Sequence, residues 1–136
     1  MGGPVRPARR GDRHSNGKDR PMNDQSQTRA GHVRAADLDW QDMGDGTRRK
    51  ILGYAPEMLM MRNVFEAGTQ GPLHSHPHVQ SSYIVSGFFE ITIGDVTESM
   101  GPGDGFLVEG GVLHAARCLE AGEVIEVFTP IRDDFL

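Results

Sequence analysis

Residues 74–87 read HSHPHVQSSYIVSG. Three imidazoles and a glutamine stand just ahead of an apolar run. In an extended chain residues i and i+2 project to one side, with a rise of about 3.3 Å per residue. His74 and His76 therefore stand in parallel and can share one ion. Imidazole suits Zn, Fe, Ni and Cu. Two histidines make an incomplete site, so further ligands must come from elsewhere. His14 and His32 lie in a polar N-terminal segment. His114 opens a strand directly after Gly110 and Gly111, where a hairpin can return a side chain to the same lumen. His78 follows Pro77, which interrupts strand parity, and it reads as a rim or outer partner of the site rather than a ligand.

Outward from this stretch, the chain from Asp37 onward reads as short strands between turns. Strand segments are expected at 48–54, 57–68, 81–87, 88–94, 96–100, 104–111, 114–120 and 123–130. Glycine-containing turns mark most of the breaks, at Gly87, Gly94-Asp95, Gly101-Pro102-Gly103, Gly110-Gly111 and Ala121-Gly122. The Met-rich run at 57–68 is read as a strand because Val64, Phe65 and the flanking turn residues outweigh its helical composition. Phe89, Ile91 and Ile93 share one face of their segment, against Phe88, Glu90 and Thr92 on the other. Near the C-terminus Val124, Glu126 and Phe128 share a face. A polar residue among apolar ones on an inward face suits a barrel wall whose lumen does chemistry. Many short strands and no convincing helix predict an all-β barrel or sandwich. Trp40 is expected to pin the preceding segment to the barrel. Asp37, Asp39, Asp42 and Asp45 lack the ordered spacing of a calcium loop and read as a solvated acidic loop.

Charge divides the chain. Residues 1–34 hold eight Lys/Arg against three Asp, whereas the remainder is acidic enough to bring the whole to −5. The first segment has almost no large apolar side chains and is expected to be a disordered basic extension, with 35–136 as a single folded domain. Met22 is a candidate start, and Arg10-Gly11-Asp12 is read as a chance match. The acidic body argues against nucleic acid. No apolar run approaches the roughly 18 residues of a membrane span. The single cysteine, Cys118, forms no internal disulfide, and a reducing cytoplasm is the default expectation. A body of this size buries a modest share of its surface, and a homodimer is expected.

The spacing of Gly68, His74, His76, Gln80 and Gly87 resembles the first cupin motif, with Gln80 where that motif carries glutamate. Gly103, Glu109, Gly111 and His114 resemble the second, with Glu109 in place of its proline and Cys118 in place of its asparagine. The resemblance implies a cupin jelly-roll barrel holding one divalent transition metal ion (Zn, Ni, Mn or Fe) on His74, His76, Gln80 and His114. With glutamine in place of a carboxylate, the metal keeps a formal charge of +2 and favours an anionic ligand.

From about Trp40 to Leu136, with RRKILGY at 48–54 and EVIEVFTPIRDDFL at 123–136, the chain is similar to the KdgF family. These small cupins convert 4,5-unsaturated monouronates from pectin and alginate to linear 5-keto-4-deoxyuronate. The likeness implies a catalytic trio at Glu126, Phe128 and Arg132, with Glu126 standing where the family has aspartate. A small anionic sugar acid is the expected partner. Plainer roles are a surface ion pair of Arg132 with Asp133 or Asp134, a core position for Phe128 and a rim charge at Glu126. A non-catalytic sugar-acid-binding cupin and an iron-dependent cupin dioxygenase stay open as alternatives.

Overall fold

The computed structural model describes residues 28–136, so the readings placed on residues 1–27 lie outside the described residues. Among the described residues seven strands form: β1 Gln41–Asp42, β2 Thr47–Ala55, β3 Met58–Phe65, β4 Val79–Ile93, β5 Val96–Met100, β6 Gly105–Val108 and β7 His114–Thr129. All pairings are antiparallel, in the order β1-β2-β3-β7-β4-β5, with β6 on the start of β4. Helical structure among the described residues is confined to 3-10 turns at Ala35–Asp37 and Asp133–Phe135.

Four expected strands fuse into two. Gly87 and Ala121-Gly122 were read as breaks, yet β4 and β7 run through them as strands of 15 and 16 residues. The register between them shifts from Ile84 to Phe89, so the ribbon bends there instead of ending. The cause is close backbone approach. A Cβ at Gly122 would lie 2.0 Å from the Ser86 carbonyl oxygen, and one at Gly87 would lie 2.6 Å from that of Glu120. Gly87 also has φ of 85°, in the region glycine tolerates without a Cβ clash. Glycine here lets paired backbones turn a corner while most ladder bonds continue.

The bend closes the jelly-roll barrel. A straight strand of the length of β4 spans about 50 Å. Gln80 pairs opposite Phe128 at one end of the ribbon, and His114 pairs opposite Ile93 at the other. Folding the ribbon brings both ends onto one cavity. Two apolar clusters hold the barrel. One comprises Ile84, Phe89, Ile91, Cys118 and Val124, and the other Ile51, Leu59, Met61, Phe128 and Ile131.

The fold engages the chain from Arg29, within the segment assigned by composition to the extension. Arg29 and Tyr54 exchange backbone hydrogen bonds of 2.9 and 3.0 Å, and the Arg29 guanidinium donates to the Ile51 carbonyl at 2.6 Å. Pairing along a strand edge uses backbone groups, which every residue but proline supplies in full, so composition did not signal it. Trp40 plays its expected part: the Lys50 ammonium lies 4.6 Å from its ring centroid and donates to the Ala35 carbonyl at 2.8 Å. Asp42 and Asp45 accept hydrogen bonds from the backbone N–H groups of Gly44 and Thr47, as turn residues rather than as a cation loop.

Candidate metal centre

The segment ahead of β4 runs antiparallel to the start of β7. His74 and His114 exchange backbone hydrogen bonds of 3.0 and 2.8 Å, and the Gly111 N–H donates to the His76 carbonyl at 2.8 Å. Gly110 allows this approach, since a Cβ there would stand 2.3 Å from the Pro77 carbonyl oxygen. The glycine turn thus delivers His114 beside the pair at 74 and 76.

Three rings converge. The ring centroids of His74 and His114 are 4.3 Å apart, and those of His76 and His114 are 4.7 Å apart. One donor atom from each of the three lies within 4.8 Å of the others, so they can hold one metal ion. Each ring is held by its Nδ1, which donates to a main-chain carbonyl: His74 to Pro72 at 2.9 Å, His76 to His78 at 3.1 Å and His114 to Val112 at 2.9 Å. A carbonyl only accepts, so Nδ1 carries the proton and the neutral ring keeps its lone pair on Nε2. Burial pushes His76 and His114 below the ordinary histidine value, with the Arg132 charge adding to this, so both favour the neutral form that ligates.

Two details test whether these residues fit a metal. The buried Nε2 of His114 has no hydrogen-bond partner among the described residues. The Gln80 carbonyl oxygen lies 3.1 Å from His76 Nε2. The Gln80 amide is oriented by donating to Ser82 Oγ and to Glu126 Oε1, both at 3.2 Å. Two lone pairs therefore face each other across a hydrogen-bond distance, an arrangement that a cation relieves. The donor set fits a borderline transition metal.

The remaining predicted residues line the same cavity, of about 350 Å³. Glu126 is half-buried on the inward face of β7 with both oxygens engaged, Oε1 by Gln80 and Oε2 by the Asn63 amide at 3.1 Å. Burial pushes its carboxyl above the ordinary range against the opposing pull of Asn63 and Arg132. It is a lumen group, not a rim charge. Phe128, 2% exposed, belongs to the core and also lines the cavity, with its ring centroid 5.7 Å from that of His76. Arg132 stacks over Phe135 at 4.0 Å and over Phe128 at 4.9 Å. Its Nε and Nη2 donate to the two Asp134 oxygens at 3.0 and 2.7 Å. The expected ion pair with Asp134 and the place on the cavity wall are thus both real. His78 stands outside the three-ring group and bonds through Nε2 to the Ile131 carbonyl at 3.1 Å.

A family model described as Cupin domain matches residues 61–128. The pectin degradation protein KdgF of Dickeya dadantii (strain 3937) is 34% identical over an alignment of 99 residues that covers 71% of this chain and 90% of that protein. This chain belongs to the KdgF family of cupins. The solved structure of KdgF from Halomonas sp. is 34% identical and superposes with a TM-score of 0.75 over 78% of this chain and 100% of that one. An RmlC-like cupin from Shewanella frigidimarina NCIMB 400 is 33% identical, with a TM-score of 0.79 over 81% and 99% of the two chains.

Sequence reasoning missed three residues of this KdgF-family site: Asn63, Ser82 and Arg49. Arg49 and Asn63 line the cavity, Ser82 lies behind it as an acceptor for the Gln80 amide, and Asn63 and Ser82 are buried. The signal was available for Asn63, a polar residue on the parity of Met61 and Phe65. No helix among the described residues is long and apolar enough to cross a membrane.

Proposed function

We propose that this KdgF-family cupin is a metal-dependent enzyme that opens the ring of 4,5-unsaturated monouronates, released from pectin- or alginate-type polyuronides, to linear 5-keto-4-deoxyuronate. The observation that carries the reading is the Glu126 carboxylate, held by Asn63 and Gln80 beside the three-imidazole cage. The reaction is an isomerisation. The anomeric hydroxyl loses its proton as the bond from C1 to the ring oxygen breaks. The electron pair of that bond leaves with the ring oxygen, and the resulting C4–C5 enolate takes up the proton at C4 and becomes the ketone. In this reading Glu126 carries that proton between the two positions, a transfer that one buried carboxyl can make in both directions. Arg132 holds the substrate carboxylate with the donors that Asp134 leaves available. Phe128 forms an apolar wall against the sugar ring and keeps water from the enol. His74, His76, His114 and the Gln80 oxygen would hold a divalent transition metal, whose Lewis acidity stabilises negative charge on an enolate oxygen.

The protein is further proposed to act in the cytoplasm, on a small sugar acid rather than nucleic acid or membrane, and as a homodimer. Exposed Met58, Met60, Tyr83, Val85 and Leu107 on the outer sheet face support the last point, which sedimentation tests. Adding metal-loaded protein to an unsaturated monouronate should accelerate loss of the conjugated alkene's ultraviolet absorbance, and Glu126→Ala should abolish the acceleration. Glutamate in place of the family's aspartate favours a second reading, a sugar-acid binder without turnover. A parent that binds the compound yet leaves its absorbance at the spontaneous rate supports the binder. A Glu126→Asp variant faster than the parent marks an enzyme whose carboxylate has shifted by about one methylene, a displacement of the order that costs about a hundredfold in rate.

A further inference from the structure

Arg49 lies at an inward position of β2, paired opposite Asn63, and lines the same cavity as the histidines. Asn63 in turn donates to Glu126, so the guanidinium sits one cross-strand neighbour from the lumen carboxylate. Among the described residues Arg62, Arg117 and Arg132 each have a carboxylate partner. The Arg49 contacts are all neutral: Nε donates to Gln41 Oε1 at 2.9 Å, Nη2 reaches the Phe135 carbonyl at 3.4 Å, and the group lies 4.4 Å from the Phe135 ring centroid. Arg132 stacks on that same ring at 4.0 Å. Two guanidinium groups thus share one aromatic ring at the cavity wall, and the available carboxylate, Asp134, is gripped by Arg132 alone. Burial of Arg49 lowers its proton affinity, against the opposing pull of the Asp134 charge, and the neighbouring Arg132 charge lowers it further. A partly desolvated cation with no carboxylate in hydrogen-bond contact gains from an anion that supplies one.

We propose that Arg49 is a second anion-binding residue of this cavity, completing with Arg132 the grip on the carboxylate of a sugar acid. A carboxylate offers about four lone-pair sites and can accept from two guanidiniums at once. Asp134 already takes Nε and Nη2 of Arg132. Arg49 keeps Nη1 without a hydrogen bond among the described residues. It therefore adds donors to those that Asp134 leaves available on Arg132. The proposal rests on the sugar-acid reading of the site and adds to it a residue that selects the charged ligand over a neutral one.

Calorimetric titration of the metal-loaded protein with D-galacturonate and with its methyl ester tests this. The parent binds the acid more tightly than the ester. Arg49→Ala weakens the acid about tenfold, a single charge-assisted contact, and leaves the ester unchanged. Arg49→Lys keeps the charge but loses the planar fork, shows a smaller loss of the same selectivity and answers the question should the alanine variant fail to fold. In turnover of the unsaturated monouronate the same substitutions raise KM with kcat within about twofold. Variants with parental metal content that discriminate acid from ester as the parent does, or lose both ligands equally, overturn the role of Arg49 alone. A parent that binds neither compound overturns the sugar-acid reading and this proposal with it.

Discussion

The two halves of the β4–β7 ribbon are built from one backbone pattern and do opposite work. Beyond the bend, the inward side chains are Phe89 and Ile91 of β4 and Cys118 of β7, which pack with Ile84 and Val124 at the corner and are each 4% exposed or less. Before it, the inward positions are Gln80 and Ser82 of β4 and Glu126 of β7, with Asn63 reaching across from β3. The apolar half needs no direction: burial alone holds it, and its side chains fill space. The polar half is held by donors and acceptors that must match one by one, since a buried polar group without a partner is destabilising. Apolar packing dominates beyond the bend and the polar network lies before it, while the fold returns His114 from the far end of the apolar half to the cage and seats Phe128, beside the polar network, in the second apolar cluster.

Substitutions in the apolar packing and among the candidate metal donors should therefore separate in what they disturb. The largest loss of stability is expected from Phe89→Ala, about 3–5 kcal/mol by transfer and cavity effects. Denaturant unfolding measures it, and metal stoichiometry of the folded fraction should stay parental. Metal loss at this site would break the comparison, because it would show that the apolar packing also sets the cage. His114→Ala is the converse. It should leave the fold in place and reduce metal affinity by more than the ~10–100-fold typical of an outer-shell partner, read by chelator competition.

A smaller effect is expected from pH. His76 and His114 of the metal-free protein have proton affinities lowered by burial, below the ordinary value of 6.5. The unfolded chain then binds more protons than the folded one in the window between the lowered values and 6.5, so stability falls as pH drops through it. Bound metal steepens this, because ligation keeps the rings neutral in the folded state while the unfolded chain still takes up protons. Melting curves of metal-free and metal-loaded protein between about pH 7 and 5 should converge as the pH falls. A metal-loaded protein that keeps its full advantage at the acid end would remove the histidines from the linkage. The smallest effect is expected for Ser82→Ala, which takes one of two acceptors from the Gln80 amide and should cost about 1 kcal/mol. A fall in metal affinity beside that cost would sharpen the comparison, by showing that the amide's orientation matters to the cage and not only to folding.

Much of this was legible in the chain. The parity of Phe89, Ile91 and Ile93 and of Val124, Glu126 and Phe128 marked the inward faces, because a strand's period of two is local. His74 and His76 announced themselves by spacing, and Gly110-Gly111 announced the turn that returns His114. Gly87 and Gly122 were read as ends because glycine serves equally as a stop and as a corner, and which it becomes depends on the strand packed against it. Arg49 was hidden for a related reason: in RRKILGY it is one of three consecutive cations, and only the packing of Trp40 against Lys50 on one side and of Phe135 against Arg49 on the other tells them apart.

Residue type and spacing determined the all-β character, the inward faces and the paired imidazoles at 74 and 76, since each of these is a property of a few neighbouring residues. Only the tertiary structure decided that Gln80 and His114, at opposite ends of one long ribbon, line the same cavity, and that Asn63 and Gln80 hold Glu126 between them. Those meetings depend on a bend and on cross-strand register. Both arise from packing between segments far apart in the chain, where local pattern carries no information.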